Sequence, residues 1–132
     1  MSPDPDAMAA KKSKRVRWLA DVEAHDFPAA RSYLGLIYDR KRVANMISRL
    51  RGAPIVQFKA KDIFRASRLS LLGLSNSHVE KDRERIRKGQ GLAPLLLVRD
   101  EPNGTVVIAD GYHRLCAVYE VDEDALIRCR II

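Results

Sequence analysis

The sequence predicts a mixed α/β domain of the α+β kind, with one small curved sheet and helices packed against it. Three observations predict it. Residues 39–52 repeat apolar side chains at helical spacing. Four short aliphatic runs, at 55–58, 94–99, 105–109 and 126–132, are too short for helices and suit strands. A Pro-Asn-Gly turn joins the middle two into a hairpin. A length of 132 residues suits one domain, and 46% hydrophobic residues suffice for a core.

Residues 1–14 are rich in Pro, Asp, Ala and Lys, lack apolar periodicity and read as a disordered basic tail. Residues 15–23 read as a short helix with Val16, Leu19, Ala20 and Glu23 on one face. His25-Asp26-Phe27-Pro28 forms a turn, and a short helix and turn follow over 29–38. In 39–52, Val43, Met46, Ile47 and Leu50 make one apolar stripe, Asp39 is the N-cap, and Gly52 with Pro54 ends the helix. Residues 15–54 thus read as an N-terminal helical extension to a domain spanning 55–132.

Ile55-Val56-Gln57-Phe58 is a strand, residues 61–66 a helical turn, and 67–76 a loop. Ser77-His78-Val79-Glu80 matches a capping box, with Ser77 as N-cap of a helix that stops at Gly89. Only Val79 and Ile86 are apolar on that helix, so its remaining faces meet solvent or an anion. Strands at 94–99 and 105–109 flank the turn Asp100-Glu101-Pro102-Asn103-Gly104. Asp110-Gly111 breaks the second strand, residues 112–119 form a helix, and 126–132 form the last strand, with Ile127, Cys129 and Ile131 facing one way.

Charge narrows the partners. There are 24 Lys and Arg against 17 acids, a net charge of +7, which favours an anionic partner: a nucleotide, nucleic acid or acidic protein. Five of the seven residues in 11–17 are basic, so this arm either touches a nucleic-acid backbone or is simply solvated. No stretch approaches the roughly 18 apolar residues of a membrane span, and the N-terminus has no signal-peptide pattern, so a cytoplasmic protein without membrane contact is expected. Cys116 and Cys129 both sit in apolar patterns and read as buried thiols.

The segment Ile108-Ala109-Asp110-Gly111-Tyr112-His113-Arg114 carries the chemistry. A strand passes through glycine into a helix, whose free N–H groups and dipole form an anion site. Gly111 lets a phosphate approach the backbone, Arg114 offers a bidentate fork, and His113 can donate or shuttle a proton. The same residues also suit plainer roles: Asp110 as an N-cap, Gly111 as a turn, His113 and Arg114 as surface residues.

This strand, then Gly111-Tyr112-His113-Arg114, then a helix, resembles the ParB/sulfiredoxin superfamily. The resemblance covers roughly residues 55–132. It includes the charged helix 77–88, the strand Ala93-Pro94-Leu95-Leu96-Leu97-Val98, the hairpin, and the closing Ile127-Arg128-Cys129-Arg130-Ile131. It implies binding of ATP or CTP phosphates at the turn. Tyr112 stands where sulfiredoxin has its catalytic cysteine and cannot form the thiol-linked intermediate. ParB proteins read DNA with a separate helix-turn-helix domain, which is expected to be missing here, so partition-complex function as a single chain is not expected. Asp110, Gly111, His113 and Arg114 also match the Asp-Gly-x-His-Arg form of the free-serine kinase branch. The resemblance further points to His78, Lys81 and Arg85 on the preceding helix as phosphate contacts, and their i, i+3, i+7 spacing puts them on one face. The interleaved Glu80, Asp82 and Glu84 fall at other angles.

The expected function is therefore a nucleotide/phosphate-binding domain, with a phosphotransferase or hydrolase activity as one form of it. Gly111, Tyr112, His113, Arg114, His78, Lys81 and Arg85 bind phosphate, and Asp110 and His113 act as catalytic groups. Asp110 also takes the Mg²⁺ that triphosphate chemistry uses. The alternative is a non-catalytic DNA-associated or regulatory binding module. A nuclease is a third class, but no acidic cluster has metal-site spacing.

Overall fold

The computed structural model describes residues 16–71 and 76–132. In chain order the elements are β1 (Arg17–Trp18), α1 (Asp26–Leu34), α2 (Arg40–Gly52), β2 (Ile55–Lys59), α3 (Ala60–Ser67) and α4 (Ser77–Arg87). They continue with β3 (Gly91–Leu92), β4 (Leu95–Asp100), β5 (Thr105–Asp110), α5 (Tyr112–Val121) and β6 (Leu126–Ile131). This is the mixed α+β domain that the pattern of short strands and helices predicts.

The main sheet has the order β2-β6-β4-β5. β6 pairs antiparallel with β2 and parallel with β4, and β4 pairs antiparallel with β5. The β4–β5 hairpin turns through a 3₁₀ segment, Glu101–Asn103, and Gly104 at φ +62°. Helices cover both faces. Leu95, Leu97, Ile108, Ile127 and Cys129 join Ile63, Val79, Ile86 and Leu115 in one core cluster, beneath α3, α4 and α5. Leu96, Val98 and Ala109 join Phe27, Ala30, Leu34, Val43, Ile47 and Leu50 in the other, beneath α1 and α2. Alternate residues of β4 point to opposite faces, and both faces are dry, so Leu95-Leu96-Leu97-Val98 is continuously apolar. Each such leucine contributes about 1.5–3 kcal/mol by burial.

The 39–52 helix forms as expected. Asp39 caps α2 by accepting a hydrogen bond from the Arg42 N–H at 2.9 Å. Both cysteines are free and buried, and burial pushes the Cys129 thiol up to about 12. No helix among the described residues is long and apolar enough to cross a membrane. The tail expected over 1–14 lies outside the described residues, as does most of the basic arm and part of the 67–76 loop.

Several expectations are corrected. Of the helix expected over 15–23, the described residues 16–23 form none: Arg17–Trp18 is a short strand that pairs in parallel with Gly91–Leu92. Val16 is buried and Trp18 packs on the first cluster, so the working period there is two, while Leu19 stays exposed. This adds a second, two-stranded sheet to the single one expected. α1 starts at Asp26, with Pro28 in its first turn, where a missing N–H costs no helical bond. The N-cap of α4 is Asn76, whose side-chain oxygen accepts from the N–H groups of His78 and Val79; Ser77 is already inside the helix. α3 is longer than the helical turn expected, and α5 runs on to Val121.

Candidate functional site

β5 delivers Asp110 to the rim of a cleft, and Gly111 turns the chain into α5 with φ +106°. A Cβ at Gly111 would lie 2.6 Å from Leu95 Cγ and 2.8 Å from Arg114 Nη2. The space is thus taken by the protein's own side chains. Glycine is required there by the positive φ and by the guanidinium folded over it, a different reason from the phosphate approach expected. No side chain caps α5. Its first N–H groups have no acceptor within the helix, and Gly111 offers them none except by its carbonyl to Leu115.

Arg114 is held from two sides. Its Nη2 donates to Asp110 Oδ2 at 2.8 Å, and its Nη1 lies 3.7 Å from Asp26 Oδ1. Asp26 enters from the start of α1, its side chain only 5% exposed, and its Oδ2 accepts from the Glu23 N–H at 2.9 Å. His25, beside it, is exposed, with Nε2 3.5 Å from Asp26 Oδ1. Burial pushes the Asp110 carboxyl up to about 6, helped by the neighbouring Asp26 carboxyl; the charge of Arg114 acts the other way.

α4 forms the opposite wall. Val79 and Ile86 are buried, which fixes the rotation of the helix and turns His78, Lys81 and Arg85 into the cleft. The imidazoles of His78 and His113 lie with centroids 4.9 Å apart. Burial lowers the pKa of His113, and His78 adds to that, so the ring favours its neutral form. Asp82 also lines the cleft, 3.9 Å from Arg85, and burial raises its pKa. Helical spacing alone sets Asp82 at another angle from His78, Lys81 and Arg85; in the structure it sits one turn beyond His78, close enough to share that face.

The cleft has a volume of about 390 Å³. It brings together Asp110, Gly111, His113 and Arg114 with His78, Lys81 and Arg85. It does not include the Tyr112 side chain. That ring packs against Phe64, centroids 6.5 Å apart, and its hydroxyl donates to the Ser70 carbonyl. Tyr112 can meet an anion in the cleft only through its main-chain N–H. Lys61, Arg65 and Arg68 line a separate groove beside α3, and Lys59 and Lys61 face Asp124.

Sequence reading missed Asp26 and Asp82 as cleft residues. The adjacent His25-Asp26 pair was visible, but a carboxylate before Pro28 also suits a simple turn, and only the packing of α1 against β5 brings it to Arg114. Among the described residues, no three His, Cys, Asp or Glu side chains are grouped to hold a metal ion. Chemically, the cleft offers cations, uncapped amides, a neutral imidazole and a carboxyl that titrates near neutrality. No family model, curated protein or solved structure matches the chain.

Proposed function

We propose that this cleft binds a phosphate group, that of a nucleotide, and that the chain is a ParB/sulfiredoxin-like nucleotide-binding domain. One observation carries the reading: Lys81, Arg85 and His78 of α4 converge on the uncapped start of α5, with His113 and Arg114 in the same 390 Å³ cleft. Amides at a helix start and guanidinium forks are the donors that phosphate oxygens accept. ATP or CTP suits the donor set. Mg²⁺ would come with the triphosphate, which supplies most of its ligands, and Asp110 is the carboxylate on the turn that would complete them.

In this reading Lys81 and Arg85 neutralise the phosphates, the α5 amides orient them, and Arg114 is pre-set by Asp110 and Asp26. His113 takes up a proton, and Asp110 either holds Mg²⁺ or acts as the base, as phosphoryl transfer or hydrolysis would use. A second reading, a regulatory binding module without turnover, is favoured by the three carboxylates lining the cleft. Asp26, Asp82 and Asp110 offset the charges of Lys81, Arg85 and Arg114, as in a network that holds structure.

Thermal melts with ATP, CTP, GTP and inorganic phosphate, with and without Mg²⁺, test the proposal. A ligand at about 100 times its Kd adds roughly 2.7 kcal/mol of stability. Lys81→Ala and Arg85→Ala are expected to remove most of that shift without lowering the melting temperature of the free protein. If no phosphate compound moves the wild-type transition, or the variants respond as wild type does, the proposal fails. Binding without release of phosphate or transfer to an acceptor favours the module over the enzyme.

A further inference from the structure

We infer that the outer face of α2 is a docking surface for double-helical DNA, separate from the cleft. The two are built on different residues: α2 packs over Leu96, Val98 and Ala109, whereas the cations of the cleft stand on α4 and α5, which belong to the cluster on the other face of the sheet, and no residue of α2 lines the cleft.

α2 buries Val43, Ile47 and Leu50. Directly opposite, at i, i+4, i+7 and i+11, stand Lys41, Asn45, Ser48 and Gly52, all exposed. Arg42 and Arg49 flank this row on one side, Arg40 and Arg51 on the other, and all four are exposed. The face is thus a strip of small and polar side chains between two rails of guanidinium. Residues 31–52 hold six Lys and Arg against one acid, Asp39, whose side chain is engaged by the Arg42 N–H.

Many arginines outside α2 are neutralised in place. Arg65, Arg83, Arg85, Arg87, Arg114 and Arg130 each have a carboxylate within 4.0 Å. Among the described residues, none of the Lys and Arg of α2 has such a partner; Arg42 and Arg51 instead stack on Tyr38 and Phe27. A row of unpaired cations is complementary to a polyanion. The rails, with a low strip between them, match a groove walled by two phosphate backbones. A 13-residue helix is about 20 Å long. The B-DNA major groove is about 12 Å wide and admits a helix, whereas that of duplex RNA is too narrow. Asn45, Lys41 and Ser48 then lie where base edges are met, and the arginines where phosphates are. A flat anionic membrane would meet the cations alone and leave the polar strip between the rails without a partner, whereas a groove engages both.

The full-length chain is titrated into a fluorescent mixed-sequence DNA duplex of about 30 base pairs, at about 50 mM and then about 200 mM salt. About four phosphate contacts should weaken binding roughly a hundredfold between the two. Arg40→Glu combined with Arg49→Glu should lower affinity at low salt at least tenfold with an unchanged melting temperature, and Lys41→Ala with Asn45→Ala should lower it several-fold. Arg85→Ala, in the cleft, should leave it unchanged. The inference is overturned if wild type does not retain the duplex at low salt, or if the double charge reversal binds like wild type. It is also overturned if binding disappears only on deleting residues 1–15, if duplex RNA binds as tightly, or if phosphatidylglycerol vesicles are bound and DNA is not.

Discussion

Asp110 shows how one carboxyl links fold and chemistry. Its pKa of about 6 lies above the value of about 3.9 that an aspartate has in an unfolded chain. The folded state therefore binds the proton more tightly. The stabilisation from this group is complete below about pH 4 and is lost as pH rises through 6. Melting temperature should fall across that window, and Asp110→Asn should flatten the fall. Thermal melts from pH 4 to pH 7.5 measure it, and an equal slope in both proteins would contradict the shift. His113 and Arg114 were legible as site residues because chemistry and position coincide in one turn. Asp26 was not, because its place beside Arg114 depends on a contact between segments far apart in sequence.

At the scale of elements, the start of α4 separates two readings of the same motif. Ser77-His78-Val79-Glu80 looks like a capping box, yet Asn76 makes the capping bonds. Asn76→Ala should cost about 0.5–2 kcal/mol, and Ser77→Ala close to nothing, by denaturant unfolding. The reverse order would restore the sequence reading. α2 was legible throughout, since four apolar residues at helical spacing and an Asp cap agree. β1 and β3 were not: each is two residues long, too short for any period to show, and their pairing joins Arg17 to Gly91 across most of the fold. The β4 run was legible as a buried strand, but which helices cover it was not: α1 and α2 lie over Leu96 and Val98 through contacts distant in sequence.

At the scale of the whole molecule, α1 and α2 share their core with the sheet. A fragment of residues 55–132 would expose Leu96, Val98 and Ala109 to water. At about 1.5–3 kcal/mol for each large side chain, that is a large share of the roughly 5–15 kcal/mol that holds a domain together. Such a fragment should show no cooperative thermal transition, while residues 16–132 should; a sharp melt of the shorter piece would mean that it folds alone. The extension at 15–54 was legible from the helix it contains, but its share in the core was not, because an apolar stripe does not name the surface it meets.

β6 lies between β2 and β4 although it follows both in the chain. During translation, then, the hairpin and β2 leave the ribosome before the strand that joins them. Until it arrives, two sheet edges stand open at once, at Val56 and at Leu96, whose later neighbours are Cys129 and Arg130. Pairings of such long sequence separation form slowly, and the nascent chain carries these edges unguarded until then.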